Sequence, residues 1–283
     1  MDTSLSKSDA KQQATEAKHE LKPWIRRYGR IGNMAKGTVF VLIGLLSFMA
    51  AAGIGGQTTG TSGMFRSLAS IPLGEVVIWL IGIGLIGYIV WIMIKIVKDP
   101  DQHGSDWKGK IIRASYTVSG LLYGGIAFQA IKIAMHAGSS GGGSQQTITA
   151  KVLSQPFGQW IIAIIGAGII VTGISQLISV ITGKFMNRFK KSEMNEHERH
   201  LAKNAGIIGL ISRGIVFGLI GFFLIQTAIN SNPEQTKGLD GALSELAQKP
   251  FGQWLLGGVA IGLILYGIFE IIRGRYEYMS LGK

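Results

Sequence analysis

Pro156-Phe157-Gly158-Gln159-Trp160 recurs as Pro250-Phe251-Gly252-Gln253-Trp254 and, more loosely, as Pro72-Leu73-Gly74-Glu75. The three prolines stand 84 and 94 residues apart. Upstream of each, Gly37-Thr38-Val39-Phe40 matches Gly120-Leu121-Leu122-Tyr123 and Gly214-Ile215-Val216-Phe217, with glycines 83 and 94 residues apart. Small-residue pairs follow each proline motif at equal distance: Gly82/Gly84, Gly166/Gly168 and Ala260/Gly262. Landmarks that keep nearly the same spacing mark a triplicated unit.

Each copy of the unit contains two long apolar stretches. They fall near 31–52, 74–97, 111–135, 158–181, 206–228 and 252–272, and each reaches the roughly 20 residues a helix needs to cross hydrocarbon. They are apolar on nearly every face, so length decides for helix over strand. A lipid-exposed backbone must satisfy its own hydrogen bonds, and barrel strands would be shorter and alternating. The expected fold is therefore all-α: six transmembrane helices as three tandem hairpins. A cytoplasmic tail occupies 1–27, and the repeats occupy 28–100, 101–190 and 191–283, the last with a short tail. An even number of helices per repeat inserts all three copies the same way, which predicts a pseudo-threefold axis along the membrane normal.

Charge composition agrees. The 283 residues carry 28 Lys and Arg against 16 Asp and Glu, and only 16% of the chain is charged. About 25% is usual for a soluble domain. Mean hydropathy is +0.33. Seven of the 44 charges lie within the six stretches, which excludes a soluble globular fold or a disordered chain. The absence of cysteine excludes thiol catalysis and Cys-ligated metal.

The basic residues orient the bundle. The N-terminal tail, the second and fourth connections and the C-terminal tail together hold 21 Lys and Arg, among them Arg26, Arg30, Lys95, Arg113, Lys184, Arg199 and Arg273. The alternate connections hold four: Arg66, Lys151, Lys237 and Lys249. That split predicts both termini in the cytoplasm. It also assigns the net charge of +12 to cytoplasmic loops, with no nucleic-acid partner expected. Ala50-Ala51-Ala52 resembles a signal cleavage site. The basic region before it is long for a signal, and the repeat needs this helix, so it is kept as a mature span. Trp79, Trp91, Trp160 and Trp254 lie toward span ends, where an aromatic belt is expected.

Three two-helix repeats, each pairing a Gly-x-x-aromatic first helix with a Pro-Phe-Gly start to the second, resemble the bacterial membrane family defined by domain of unknown function 1206. The resemblance covers roughly 28–275. The first copy departs from the pattern at Leu73 and Glu75, and the second carries Ser119 where the others have Lys36 and Arg213. The resemblance implies a bacterial cytoplasmic-membrane protein and carries no activity with it.

On the first helices, small residues run Gly37–Val41–Gly44, Gly120–Gly124–Ala127 and Gly214–Gly218–Gly221, at i, i+4, i+7 on one face. Helix association in lipid uses such close packing, so these are expected to be scaffold glycines. Gly82-Ile83-Gly84-Leu85-Ile86-Gly87 fits a dinucleotide fingerprint but lies inside a span with no strand before it, and reads as packing too. Gly138–Ser144 reads as a flexible outer loop, since no Gly-Lys-Ser/Thr follows. His197 and His200 are i, i+3 and miss the H-E-x-x-H zinc spacing; no metal or other cofactor is expected.

Ionisable groups within spans are costly and are the candidate polar positions: Lys36, Arg213 and Glu270, with Gln176 in the slot of Glu270. Lys95, Arg113 and Lys132 lie near span ends and are expected to snorkel. Arg213 and Glu270, both in the cytoplasmic half of hairpin three, are expected to pair; the alternative turns Arg213 toward the axis beside Lys36 and Ser119, where it favours an anion. Short apolar runs before Pro72, Pro156 and Pro250 predict interfacial helices of one or two turns, ended by the prolines. With no nucleophile, metal set or carboxylate pair in the spans, an enzyme is not expected. The leading expectation is an integral membrane protein acting through lipid or partner membrane proteins. A solute or ion channel along the pseudo-threefold axis ranks second, because the spans offer few polar groups for conduction.

Overall fold

A computed structural model describes residues 3–54, 60–98, 106–135 and 145–277. The Gly138–Ser144 loop, His103 and His136 lie outside the described residues. Nine α-helices appear among them: α1 (Thr3–Ala51), α2 (Thr61–Ala69), α3 (Gly74–Lys98), α4 (Trp107–Ala134), α5 (Gln145–Leu153), α6 (Gly158–Ile181), α7 (Glu196–Asn230), α8 (Leu239–Ala247) and α9 (Gly252–Tyr276). Six of them (α1, α3, α4, α6, α7 and α9) are long and apolar enough to cross a membrane. Three start earlier than their apolar runs, α4 by four residues at Trp107. Helix α7 begins at Glu196 because Asn195 accepts from the Glu198 amide while the Glu198 carboxylate accepts from the Asn195 amide, a reciprocal cap. Helix α1 runs back to Thr3.

The short helices α2, α5 and α8 stand before the three prolines, as the apolar runs predict. The motif's chemistry is then plain. Leu73, Phe157 and Phe251 adopt left-handed φ of 62°, 64° and 59°, which turns the chain sharply between short and long helix. A Cβ on the next residue would overlap the last carbonyls of the short helix: Leu68 for Gly74, Val152 for Gly158, Ala247 for Gly252. Only glycine fits that approach. Proline stops the short helix, a strained residue turns, and glycine lets the long helix begin against the stop. Phe157 and Phe251 point outward with Trp160 and Trp254, all more than two-thirds exposed. Trp91 departs from the expected belt: it is 3% exposed, packed inside.

The long helices pack in the order α4–α3–α1–α9–α7–α6. Two kinds of crossing recur. Between repeats, a Cβ on Gly37 (α1) would lie 2.5 Å from the Gly267 carbonyl oxygen (α9), and one on Gly44 2.8 Å from that of Ala260. The counterparts on α7 and α6 behave alike, with Gly221 2.6 Å from the Gly166 oxygen and Gly214 3.2 Å from that of Gly173. On α3, Ile89 fills the slot of Gly267 and Gly173, so Gly120 and Gly124 of α4 meet only the side chains of Ile92 and Ile89. Within repeats, Gly32 abuts the Tyr88 backbone and Gly84 the Ala35 Cβ in the first, while Gly209 abuts Tyr266 and Gly262 abuts Ser212 in the third.

The second repeat lacks this packing. Its slots hold Ser115 and Thr172 in place of the Gly–Tyr pair, and Val118 in place of Ala35 and Ser212. Helices α4 and α6 do not pack along their lengths, and a Cβ on Gly168 would meet nothing within 4 Å. Without the glycines that bring the two backbones together, the expected second hairpin stays open and each helix rests on a neighbouring repeat. Gly218 also faces open space.

Candidate functional site

Three of the four polar residues predicted inside the spans, Lys36, Arg213 and Glu270, gather at the end of the bundle where α9 finishes. Lys36 and Glu270 are 3% and 1% exposed, and Nζ lies 3.0 Å from Oε2 of the carboxylate. They meet because Lys36 is one residue before Gly37 and Glu270 three after Gly267, at the tight α1–α9 crossing. The ammonium also stands 5.0 to 5.6 Å from the ring centres of Tyr88, Tyr123 and Tyr266. A cation held by one carboxylate and three ring faces is well compensated in a dry interior.

Arg213 and Glu270 do not pair directly, contrary to the sequence-based expectation. Arg213 Nη1 donates to the Tyr266 hydroxyl at 2.6 Å, and that hydroxyl donates to Glu270 Oε1 at 2.7 Å. The phenol bridges them. The guanidinium stacks 4.4 Å from the Phe217 ring centre and 4.6 Å from that of Tyr266. Of the slot shared by Lys36, Ser119 and Arg213, Lys36 is buried while Ser119 and Arg213 are only half-buried.

One turn nearer the end of α9 lies a second layer. Arg273 reaches Glu270 at 3.4 Å and Glu277 at 2.7 Å. Glu277 also accepts from Asn33 Nδ2 at 2.6 Å and faces Lys95 at 3.6 Å. Lys95 does not snorkel: it is 4% exposed, over the rings of Trp91 and Tyr116. The expected polar set lacks Tyr266, Tyr88 and Glu277, and it counts Lys95 and Arg273 among the basic residues at span ends and in the tail. Repeat arithmetic carries the signal, since Tyr88 and Tyr266 both lie 14 residues after the motif glycine, and Lys95 and Arg273 both lie 21 after it. Among the described residues this network joins Lys36, Lys95, Arg213 and Arg273 to Glu270 and Glu277.

Gln176, on α6, is 9% exposed. Its Nε2 reaches only the Thr172 carbonyl at 3.4 Å, and its Oε1 is buried without a partner. Of the predicted packing glycines, Gly37, Gly44, Gly214 and Gly221 stand at backbone contacts, Gly120 and Gly124 against isoleucine side chains, and Gly218 against open space. His197 and His200 sit in the first turns of α7. At the basic end, Tyr276 donates to Glu198 at 2.7 Å and the Lys190 amide to the Tyr276 carbonyl at 2.9 Å, tying the fourth connection to the end of α9.

Comparison with known proteins matches this triplicate. The profile of the Domain of Unknown Function DUF1206 fits three times in tandem, over residues 31–99, 114–183 and 208–277. A relative from Bacillus subtilis (strain 168), "Uncharacterized protein YxxB", is 44% identical over 269 residues, covering 95% of this chain and 97% of its own. No solved structure matches. Three copies of one motif, three matches of one profile and a full-length relative lead to one conclusion: the chain belongs to the DUF1206 family.

Proposed function

We propose that the protein is a non-enzymatic, multi-pass protein of the cytoplasmic membrane that acts by taking an anionic lipid into the open side of its helix ring, between α4 and α6. The carrying observation is the combination of that opening with Arg213, a half-buried guanidinium whose hydrogen-bond partner is the Tyr266 phenol and not a carboxylate. A partly exposed guanidinium that no carboxylate meets directly favours a negatively charged occupant. Support for a pseudo-threefold ring comes from the recurring crossings at Gly37/Gly267 and Gly214/Gly173. The distribution of Lys and Arg supports cytoplasmic termini, with the cation-rich end in the inner leaflet. Conduction along the axis is disfavoured because Lys36, Tyr88, Tyr123 and Tyr266 fill the interior there, each under 10% exposed. Other membrane proteins remain natural neighbours for the exposed apolar faces of α4 and α6, whose Leu121, Phe128, Ile164 and Val171 stand outward.

Native mass spectrometry of the purified protein after exchange into mixed micelles tests this. Phosphatidylglycerol should be retained in preference to phosphatidylcholine, by about tenfold if one buried charge pair discriminates them. Equal retention would refute the reading.

A further inference from the structure

The two tight inter-repeat crossings place polar residues in the same register. At α1–α9, Lys36 precedes Gly37 and Glu270 lies three residues after Gly267; the result is an ion pair at 3.0 Å. At α7–α6, Arg213 precedes Gly214 and Gln176 lies three residues after Gly173. A cation is present again, but an amide replaces the carboxylate. No hydrogen bond forms between them. Arg213 spends Nη1 on Tyr266, while its Nε is buried without a partner and no protein acceptor meets Nη2. Gln176 Oε1 is likewise buried and unpartnered. Arg30 and Arg273 also carry a buried Nε without a partner, but here an unpartnered donor and an unpartnered acceptor stand on facing helices, a combination that a ligand with both functions would satisfy.

The chemistry of the orphaned atoms specifies that ligand. The orphaned Nε and the neighbouring Nη2, which has no protein acceptor, form the side edge of the guanidinium, which takes two oxygens of a planar or tetrahedral oxyanion at once. Gln176 Oε1 is an acceptor and wants a hydroxyl donor. Access is available on this side of the bundle: Arg213 is half-buried, and Gly168 and Gly218 face open space where α6 stands away from α4.

We propose that Arg213 and Gln176 form a binding site for a hydroxyl-bearing oxyanion of phosphate type, filling the place that Glu270 fills for Lys36. The site rests on the lipid reading above for its natural occupant, the headgroup of an anionic phospholipid with a free alcohol. Free inorganic phosphate shares the chemistry.

The test uses the full chain in nanodiscs. Gln176→Glu restores a carboxylate opposite Arg213, as at the other crossing, and should close the site without loss of fold. Its melting temperature should equal or exceed that of the wild type. Lys184→Gln, at an exposed position, makes the same change in net charge and serves as the control. Retention of phosphatidylglycerol should fall about tenfold in Gln176→Glu, the worth of a charge-assisted hydrogen bond, and stay at the wild-type level in Lys184→Gln. Excess inorganic phosphate in phosphatidylcholine nanodiscs should leave the melting temperature unmoved. If phosphate raises it in the wild type and not in Gln176→Glu, the site stands and its source is the free anion. Equal lipid retention in wild type and Gln176→Glu overturns the site while leaving the lipid reading intact. If the wild type shows no preference among lipids, the lipid reading fails, and the phosphate arm alone then decides the site.

Discussion

Glu270→Gln should destabilise the protein by about 3–5 kcal/mol, the usual consequence of removing one partner from a buried ion pair. The carboxylate faces Lys36 at 3.0 Å and Arg273 at 3.4 Å and accepts from Tyr266 at 2.7 Å, all at 1% exposure. Neutralising it leaves Lys36 with ring faces alone. Lys36→Met in the same background should recover part of the loss, because a methionine fills much of the volume and removes the uncompensated charge. The measurement is a double-mutant cycle on thermal unfolding in detergent. Additive losses would mean that Lys36 and Glu270 do not depend on each other. Arg213 enters the same cycle through the bridging phenol, so Tyr266→Phe should weaken the coupling between Arg213 and Glu270.

Gly252→Ala should also be severe. The added Cβ would overlap the Ala247 carbonyl oxygen and lie 2.5 Å from its carbon and 2.8 Å from the Leu246 oxygen. All three are backbone atoms, so relief requires moving α8 away from α9. Overpacking of this kind costs roughly 1–3 kcal/mol or more. Gly218→Ala is the contrast, since its Cβ would meet nothing within 4 Å. There the helical preference of alanine over glycine should leave stability unchanged or raise it by up to about 1 kcal/mol. Thermal unfolding of both variants in the same detergent checks the pair. Equal melting temperatures would refute the role given to the motif glycine.

Much of the architecture is legible in the residues because it depends on local features. Helix number follows from six apolar lengths, and the short helices follow from apolar runs stopped by Pro72, Pro156 and Pro250. The partner of Glu270 is not local. It lies 234 residues away on α1 and is brought in by a crossing between the first and third repeats. Reading each hairpin by itself points to Arg213 instead. Trp91 and Lys95 mislead for a related reason. Position near a span end suggests an interface, but neighbouring helices cover both side chains. The opening of the second repeat is written in Ser115, Val118 and Thr172, yet their meaning emerges only beside the Gly32–Tyr88 and Gly209–Tyr266 contacts.

The open side between α4 and α6 is the feature on which the functional account depends, and a chain without cysteine allows a direct test. Paired cysteines are placed at the three equivalent slots: Ala35→Cys with Gly84→Cys, Ser212→Cys with Gly262→Cys, and Val118→Cys with Gly168→Cys. In the first two pairs the Cβ atoms would stand 2.5 and 2.3 Å apart, inside the roughly 3.5–4.5 Å of a disulfide, so a small parting of the helices should let both bonds close on mild oxidation in the membrane. The third pair should stay reduced, because α4 and α6 do not pack together. Crosslinking of Val118→Cys with Gly168→Cys as readily as the other two would show a closed ring and contradict the account.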